Sequence, residues 1–537
     1  MSVTKEDLLA AHWPANEDLL ERALSRAGEL AERGIVRTDY VRKLLRREFA
    51  DEFPRVELRP VVEAAPLAEA IEVETPREVK NLELARRQMT GMLRSPVVER
   101  GALLPDACPV GEDKAALPVG GVVAARQAII PAAHGSDICC SMFATVFESV
   151  KLPGEILDVL MGVTRFGAGG RPVGERVYHP VLDEDVWGNP FLARMEELAA
   201  EHLADQGDGN HFAYLGRLRC APGEMARLRA GTVSLEEPLR GRSEEAREYL
   251  VLVTHHGSRG LGANLYARGL KAAKKHVHAL AAGGEEEIPD ALAWLDPETE
   301  VGRDYWEALQ YVRRWTRANH ECIHTGLLRA LGESEGGRPL EALAQFGNEH
   351  NFVWREAATG LYLHAKGSTP AWRDPETGSP VLGLIPLNMA APILLVAGGD
   401  NADFLRFCPH GAGRNFSRRA ALREFYGKSG HMKPEIVATR LATLTKGIDA
   451  RWFNGRPDIS ETPFGYKPAE KVRAQIEKFR LGTVLAEIHP LGCIMAGARP
   501  TRREEEELTP KQRRQIEHRA ERRKVRQGLH VGEIGED

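Results

Sequence analysis

The run GLIPLNMAAPILLVAGG (residues 383–399) sets the reading of this 537-residue chain. It is apolar, it is closed by two glycines, and its core from Leu384 to Ala397 is interrupted by Asn388 and two prolines. That stretch falls short of the roughly 20 apolar residues a membrane span needs. Short apolar runs bounded by glycine and proline read instead as buried strands. LPVGGVV (117–123), QAIIPAAHG (127–135) and YLVLVTHHG (249–257) share this texture. Helical stretches lie between them, such as 303–332 with its Trp and Leu spacing. Strands and helices alternate without a regular strand–helix–strand period, which predicts an α+β fold rather than a doubly wound sheet. No internal repeat is visible.

Working outward, residues 1–80 read as helices, since Leu8, Leu9, Leu19, Leu20, Ala23, Leu24 and Leu30 recur at three- and four-residue spacings. This stretch has no metal-ligand cluster and no glycine-rich loop, and reads as an accessory extension that packs or recruits a partner. After Gly497 comes a charged segment, TRREEEELTPKQRRQIEHRAERRKVRQGLH (501–530). It is expected to form a solvated helix or tail, its acidic start and basic finish suiting the helix dipole. A basic helix can also contact RNA phosphates.

The totals set wide bounds. With 43% hydrophobic residues a large core is available, and a net charge of -5 excludes a uniformly basic nucleic-acid binder while allowing a local basic groove. Seven cysteines, two of them adjacent (Cys139 and Cys140), suit no ordinary disulfide framework and point to a reducing, cytoplasmic setting. The N-terminus lacks the basic start and apolar stretch of a signal peptide, so a soluble protein without a membrane segment is expected.

The chemistry-bearing residues come next. In HGSDICCSM (134–142), Asp137 and Cys140 stand three apart at the end of a probable strand, where a tight turn would point both side chains into one space. Carboxylate with thiolate suits manganese, iron, cobalt or zinc rather than magnesium or calcium. Alone, the pair is more commonly explained by a buried structural cysteine. Three histidines follow in similar contexts: His211 after GDGN, His255 at the end of YLVLVT, and His350 in GNEHNF. A single such histidine is usually a satisfied core or surface residue, but three in matching contexts beside Asp and Cys are harder to dismiss. No HExxH or CxxC occurs, so the ligands would have to be gathered by the whole fold. In CPHGAGRNFSRR (408–419), His410 precedes two glycines and Arg414, Arg418 and Arg419. Arginine forks suit phosphate, and a neutral imidazole can attack a phosphoryl centre. A plain glycine turn before a basic helix remains the alternative.

The ordered set PDACP (105–109), LPVGGV, IIPAAHGSDICCSM, GDGNHF, THHGSRGLG, NEHNF, HAKGST (364–369), HGAGR and PLGCIMAG (490–497) resembles the RtcB family of tRNA-splicing and RNA-repair ligases. Single motifs are weak, but the set in this order is specific and spans about residues 82–497. The resemblance implies a single large catalytic domain over 81–497 with mixed sheets and flanking helices, an N-terminal helical extension over 1–80 and a charged C-terminal segment over 498–537. It implies two Mn2+ ions, with Cys140 bridging, Asp137 and His211 completing one site, and His255 and His350 the other. It implies that His410 is the nucleophile and that Asn210, Asn351, Lys366 and Arg414 contact a guanine nucleotide, with Arg259 and Arg418 contacting phosphate or RNA. The implied reaction guanylylates His410 from GTP. It then joins RNA ends bearing a 3′-phosphate or 2′,3′-cyclic phosphate to 5′-hydroxyl ends. Some members depend on an archease activator, and a monomer is expected.

The sequence departs from the family pattern at several positions. Ala496 stands where a C-terminal Lys is usual, Tyr214 where an acidic residue is usual, and LNM (387–389) where G-S-M is usual. Cys108 replaces a His, His256 a Ser, and Ala365 an Arg. These changes gather on nucleotide recognition and spare the metal set and His410. Two alternatives therefore stand beside the ligase: a manganese phosphodiesterase or 3′-phosphate capping enzyme, and a non-catalytic RNA-end-binding factor.

Overall fold

The computed structural model describes residues 3–10, 13, 16–49, 52, 56–111, 115–167, 169–232, 244–280, 288–427 and 432–498. The charged tail expected over 498–537 lies, from residue 499 onward, outside the described residues.

Two sheets dominate. The first has five strands in the order Leu67–Glu69, Val98–Cys108, Val119–Ala125, Tyr362–Lys366, Asn351–Arg355. Its first pair is parallel and the remaining pairs are antiparallel. The second runs Leu382–Pro386, Ile393–Gly398, Gly482–Met495, Phe212–Cys220, Arg247–His256, Ser141–Phe147, Ala344–Glu349, with Asp449–Trp452 alongside Gly482–Met495 in parallel. With the helices around them, these mixed sheets form the expected α+β fold. The run 383–399 is an antiparallel hairpin in which Leu384 faces Leu395. Its prolines sit at or beside strand ends, where a missing N–H costs no ladder bond.

Residues along the second sheet alternate between two cores, as a two-residue period requires. Met142, Ala144, Val146, Val251 and Val253 face one core. Phe147, Leu215 and Leu252 face another, shared with Ile156, Leu157 and Leu160 of the helix Pro153–Val163. The 36-residue helix Glu300–Glu335 begins at Thr299, whose hydroxyl accepts from Gly302 N–H at 3.1 Å. Its first half buries Tyr305, Leu309, Val312 and Trp315 in the core of the five-stranded sheet. Its second half buries Ile323, Leu327 and Leu331 against the eight-stranded sheet. One helix thus ties both cores together.

Two local expectations are corrected. The helices of the N-terminal segment run Lys5–Ala10, Glu17–Glu32 and Thr38–Glu48 and enclose a small core of Leu8, Leu19, Leu20, Ala23 and Leu30. Further on, Leu67–Glu69 is a strand paired with Gly101–Leu103. Pro60 and Pro66 keep this part of the chain extended, because the residue before proline avoids the helical region. The run QAIIPAAHG is not a strand either: it makes one bridge, Ile129 to Leu295, and then turns into the short helix Pro131–His134. Proline at the first helical position has no N–H to lose there, and its ring fixes the helical φ. Among the described residues no helix is long and apolar enough to cross a membrane.

Trp315 is fully buried and its indole N–H donates to Ala199 C=O at 3.2 Å. Trp315→Ala should cost about 3–5 kcal/mol and lower the thermal unfolding midpoint by several degrees in scanning calorimetry. Trp315→Phe, which keeps most of the volume, should lower it far less.

Candidate metal centre and adjoining pocket

The site is built from the loop between Pro131–His134 and Ser141–Phe147. Here Cys140 N–H donates to Asp137 C=O at 3.2 Å and Cys139 adopts a left-handed φ of 57°. That turn buries the Cys139 side chain in the core and sends Asp137 and Cys140 the other way. The turn stands before a strand, not after one as the sequence suggested, because the preceding run is helical. Cys139 N–H donates to Asn351 C=O at 2.8 Å, and His350 N–H to Cys140 C=O at 2.9 Å. The loop is thereby fastened to the segment that carries His350.

Strand pairing does the rest. His255 faces both Met142 and Phe212, and Ser141 faces Glu349. Cys140, His211, His255 and His350 therefore meet at one end of the sheet. Cys140 Sγ lies 3.2 Å from His255 Nε2 and 3.6 Å from His211 Nε2. His255 Nε2 lies 3.2 Å from His350 Nε2, and His211 Nε2 lies 3.0 Å from Asp137 Oδ2. These form two groups able to hold a metal, Cys140–His255–His350 and Asp137–Cys140–His211, with Cys140 common to both.

The donor set fits a divalent cation. His255 Nδ1–H donates to Asn210 C=O at 3.1 Å, which leaves the Nε2 lone pair facing the centre. Burial holds His255 down at about 3, with His211 and His410 adding to the effect. Burial also takes His350 well below its usual value. Both rings are therefore neutral near pH 7, and their Nε2 atoms face one another beside a sulfur. Burial, reinforced by Asp137, pushes the Cys140 thiol well above its ordinary value. The Asp137 side chain stays 39% exposed. Desolvation raises its pKa, but His211 and a bond from Cys140 outweigh this and hold it at about 2. Gly257 makes room for this carboxylate: a Cβ there would stand 2.0 Å from Asp137 Oδ1.

A cavity of about 280 Å³ opens beside the centre, and His410 lines it together with His255. The His410 ring lies 4.7 Å from that of His350 between centroids. Its Nδ1 donates to Asp106 Oδ2 at 2.7 Å, so Nε2 is the nitrogen left with a free lone pair. Asp106 is itself fixed: buried Lys467 Nζ donates to Pro105 C=O at 2.9 Å and to Ala107 C=O at 2.8 Å. Gly413 brings the HGAGR turn against the same segment, where a Cβ would meet Asp106 O at 2.1 Å.

The other expected residues divide. Asn210, Arg414 and Arg418 line the cavity, whereas Asn351, Lys366 and Arg259 are not among its lining residues. Asn351 is engaged by the framework, donating to Asp137 C=O at 3.3 Å and accepting from Gly367 N–H at 2.8 Å. Lys366 faces it in register and packs near Gly135. Arg259 donates to Gly167 C=O at 3.0 Å and pairs with buried Asp205 at 3.4 Å. Arg414 and Arg418 both pair with buried Glu461, at 3.2 and 2.7 Å. Arg414 is further held by Ser460 C=O at 2.6 Å and Phe416 C=O at 3.1 Å, so Arg418 keeps more of its guanidinium available. Sequence reasoning missed Asp106, Glu461 and Lys467. Asp106 lay inside the quoted motif PDACP, but nothing local marks it as the partner of a histidine 304 positions away.

Fold and site together define a candidate metalloenzyme whose histidine stands between a metal centre and a ligand-sized cavity. The sequence profile described as tRNA-splicing ligase RtcB matches residues 189–496, more than half of the chain. The chain is 25% identical over 421 residues to the RNA-splicing ligase RtcB of Escherichia coli (strain K12), covering 73% of this chain and 89% of that protein. It is 25% identical over 440 residues to the tRNA-splicing ligase RtcB of Thermococcus kodakarensis, covering 72% and 86%. The RNA-splicing ligase RtcB of Mycobacterium tuberculosis is 25% identical over 421 residues, covering 70% and 93%. The chain belongs to the RtcB family.

Two outcomes follow for metal loading. Because Cys140 is a thiol at neutral pH while His255 and His350 are already neutral, occupation of the centre must release about one proton. Affinity should therefore rise up to about tenfold per pH unit between pH 6 and 8, and calorimetric titration in buffers of different ionisation enthalpy should give the proton count. Gly257→Ala should displace Asp137 and lower the metal content measured by mass spectrometry from two equivalents towards one, leaving the Cys140–His255–His350 group loaded.

Proposed function

We propose that the chain is an RNA ligase that joins 3′-phosphate or 2′,3′-cyclic phosphate ends to 5′-hydroxyl ends. In this reading Mn2+ and GTP are its cofactors and a guanylylated His410 is the intermediate. The observation that carries the proposal is the position of His410: its Nδ1 is held by Asp106, its ring lies against His350, and it faces the cavity. Membership of a family whose named relatives are RNA-splicing and tRNA-splicing ligases supplies the substrate class. The metal pair, when bound by Asp137, Cys140, His211, His255 and His350, supplies charge stabilisation for in-line phosphoryl displacement.

The chain's own residues have these tasks. His410 Nε2 attacks the α-phosphorus of GTP; an N–P bond forms, the bond to the bridging oxygen breaks and pyrophosphate leaves. The Nδ1 proton stays on the ring, held by the Asp106 carboxylate, which balances the positive imidazole as it forms. Asn210 and the glycine turn after His410 position the nucleotide, and Arg418 faces its phosphates. Where the end is a 2′,3′-cyclic phosphate, water first opens it to a 3′-phosphate. An oxygen of the 3′-phosphate then attacks the guanylyl phosphorus, the N–P bond breaks and His410 is freed; the 5′-hydroxyl attacks the RNA phosphorus, loses its proton and displaces GMP to seal the strand. Arg414, which also lines the cavity, is held by Glu461 beside Arg418, and Asn351, Lys366 and Arg259 support this arrangement from outside the lining.

The test is transfer of label. Protein loaded with manganese and given GTP labelled at the α-phosphate should acquire an acid-labile adduct. His410→Ala should acquire none, and Asp106→Asn should lose about 100-fold or more in the rate of labelling, consistent with general acid–base and orienting effects of this kind. Absence of label on the wild type with manganese bound, using GTP and ATP in turn, would sink the proposal.

A further inference from the structure

A second cavity, of about 480 Å³, lies apart from His410 and has no part in the reaction above. It falls within the range of about 300–1,000 Å³ typical of small-molecule sites. It borders the strand Asn351–Arg355, the outermost of the five-stranded sheet, which begins directly after His350. Three of the chain's eight tryptophans line it: Trp306, Trp354 and Trp372. Trp354 and Trp372 meet edge to face at 5.9 Å, and Trp306 and Trp372 stay partly open to solvent. This is an aromatic wall in which Trp354 is buried and Trp306 and Trp372 are left partly open to a planar guest.

The charge around that wall is unbalanced. Arg313, Arg355, Arg373 and Arg406 line the cavity, against the carboxylates Glu356 and Asp400. Arg406 takes both of those carboxylates, one of them at 3.2 Å. Arg313 pairs with Glu349 at 2.7 Å. Arg355 and Arg373 are exposed; Arg373 donates to Gly378 C=O at 3.1 Å, and among the described residues no carboxylate is paired with either. The side-chain nitrogen of Gln310, buried on the same wall, has no hydrogen-bond partner. An unfilled donor, two arginines without a carboxylate partner and indole rings together select a guest that is planar, bears acceptors and is anionic. A nucleotide has all three properties, and base stacking on aromatics beside arginines is the usual way of holding one without reading its sequence.

We propose that this cavity binds one nucleotide unit, its base among the tryptophans and its phosphate towards Arg355 and Arg373. The source we assign is the RNA strand, held one strand-length from the metal centre; only that assignment rests on the ligase reading. The five residues of Asn351–Arg355 span about 17 Å at roughly 3.3 Å each, so the unit would lie a few nucleotides from the reacting end.

The experiment uses the full-length protein and two probes, a 12-nucleotide single-stranded RNA carrying 5-iodouridine and free 8-azido-AMP. After irradiation, the RNA should cross-link to peptides holding Trp306 or Trp372 as well as to those near His410. Arg355→Glu with Arg373→Glu, both at exposed positions, should weaken RNA binding by at least about fivefold and remove the cross-link at the tryptophans. Trp372→Leu is a second, independent variant with the same expected result. Cross-linking of 8-azido-AMP there without RNA would assign the cavity to free nucleotide and overturn the RNA source. RNA cross-links confined to the His410 cavity, with unchanged affinity in the variants, would overturn the proposal. The ligase reading is judged separately by label on His410. Cross-links at the tryptophans without that label would leave this site standing and the ligase reading fallen.

Discussion

The centre depends on strand register. Phe212–Cys220, Arg247–His256, Ser141–Phe147 and Ala344–Glu349 are neighbours, and their pairing brings His255 opposite Met142 and Phe212 while Ser141 meets Glu349. Cys140, His211 and His350 each stand one residue outside a strand, His255 is one residue inside the end of its own, and Asp137 is on the turn before Cys140. A shift of one residue in any pairing would turn that strand's inward side chains outward, and the same shift would carry a ligand away from the common end. The alternating apolar residues that fill the two flanking cores therefore also set the metal geometry. Core packing and ligand placement are one constraint, so the site needs no local motif to hold it together.

Beneath the centre lies a polar layer that stiffens this end of the sheet. The His256 and His320 rings stack at 3.5 Å between centroids. His320 bonds to Ser141 Oγ at 2.9 Å and Thr254 Oγ1 at 2.6 Å, and His324 bonds to Thr254 at 2.8 Å and Thr145 at 2.7 Å. Burial keeps His256 and His320 well below their usual values and His324 at about 3. A charge at this depth would be costly without a partner, so these rings act as neutral hydrogen-bonding struts. His320 and His324 belong to the long helix Glu300–Glu335. The helix that joins the two cores thus also braces the two central strands of the centre. His256, where the family pattern has Ser, fits because its ring finds His320 and Asn319.

What was legible in the sequence follows from how chemistry is distributed along it. The residues that gather at the candidate centre could be read because Asp, Cys and His at glycine-rich turns are unusual residues in recurring contexts. The hairpin at 383–399 and the long helix were legible from apolar length and spacing. Leu67–Glu69 was not, because three residues carry no period. QAIIPAAHG misled because an apolar run before a proline looks like a strand from composition alone, while Pro131 starts a helix. The support of His410 was hidden for another reason. Asp106 comes from one distant segment and Glu461 and Lys467 from another, and a buried charge shows its purpose only once its partner is beside it. Asn351 shows the converse: its side chain holds the Asp137 turn and the Gly367 amide, a role no motif states.

The same contrast explains where this chain departs from the family pattern. Tyr214 is buried and donates to Ile488 C=O at 2.8 Å; Asn388 accepts from Ala390 and Ala391 N–H at 3.0 Å each; Ala496 is buried in the core that contains Leu157 and Ile494. Each replacement is integrated into the fold, so none leaves an unfilled polar hole. Tyr214 and Asn388 line the cavity together with Phe212, Ile393 and Met495, a wall without charge, whereas Ala496 is not among its lining residues. The other end holds His410, Arg418 and the Glu461 ion pairs. Of the departures, Tyr214 and Asn388 are on the uncharged wall, while Cys108 lines the cavity near Arg414 and Lys467; His410 and Arg418 themselves are kept. Charge stabilisation at phosphorus depends on fixed donors and cations, whereas an apolar wall grips a base with little regard to its edges. In the proposed reaction the wall that would grip the base is thus distinct from His410 and the Arg418–Glu461 pair that would meet phosphate, so change at Tyr214 or Asn388 can proceed without displacing them.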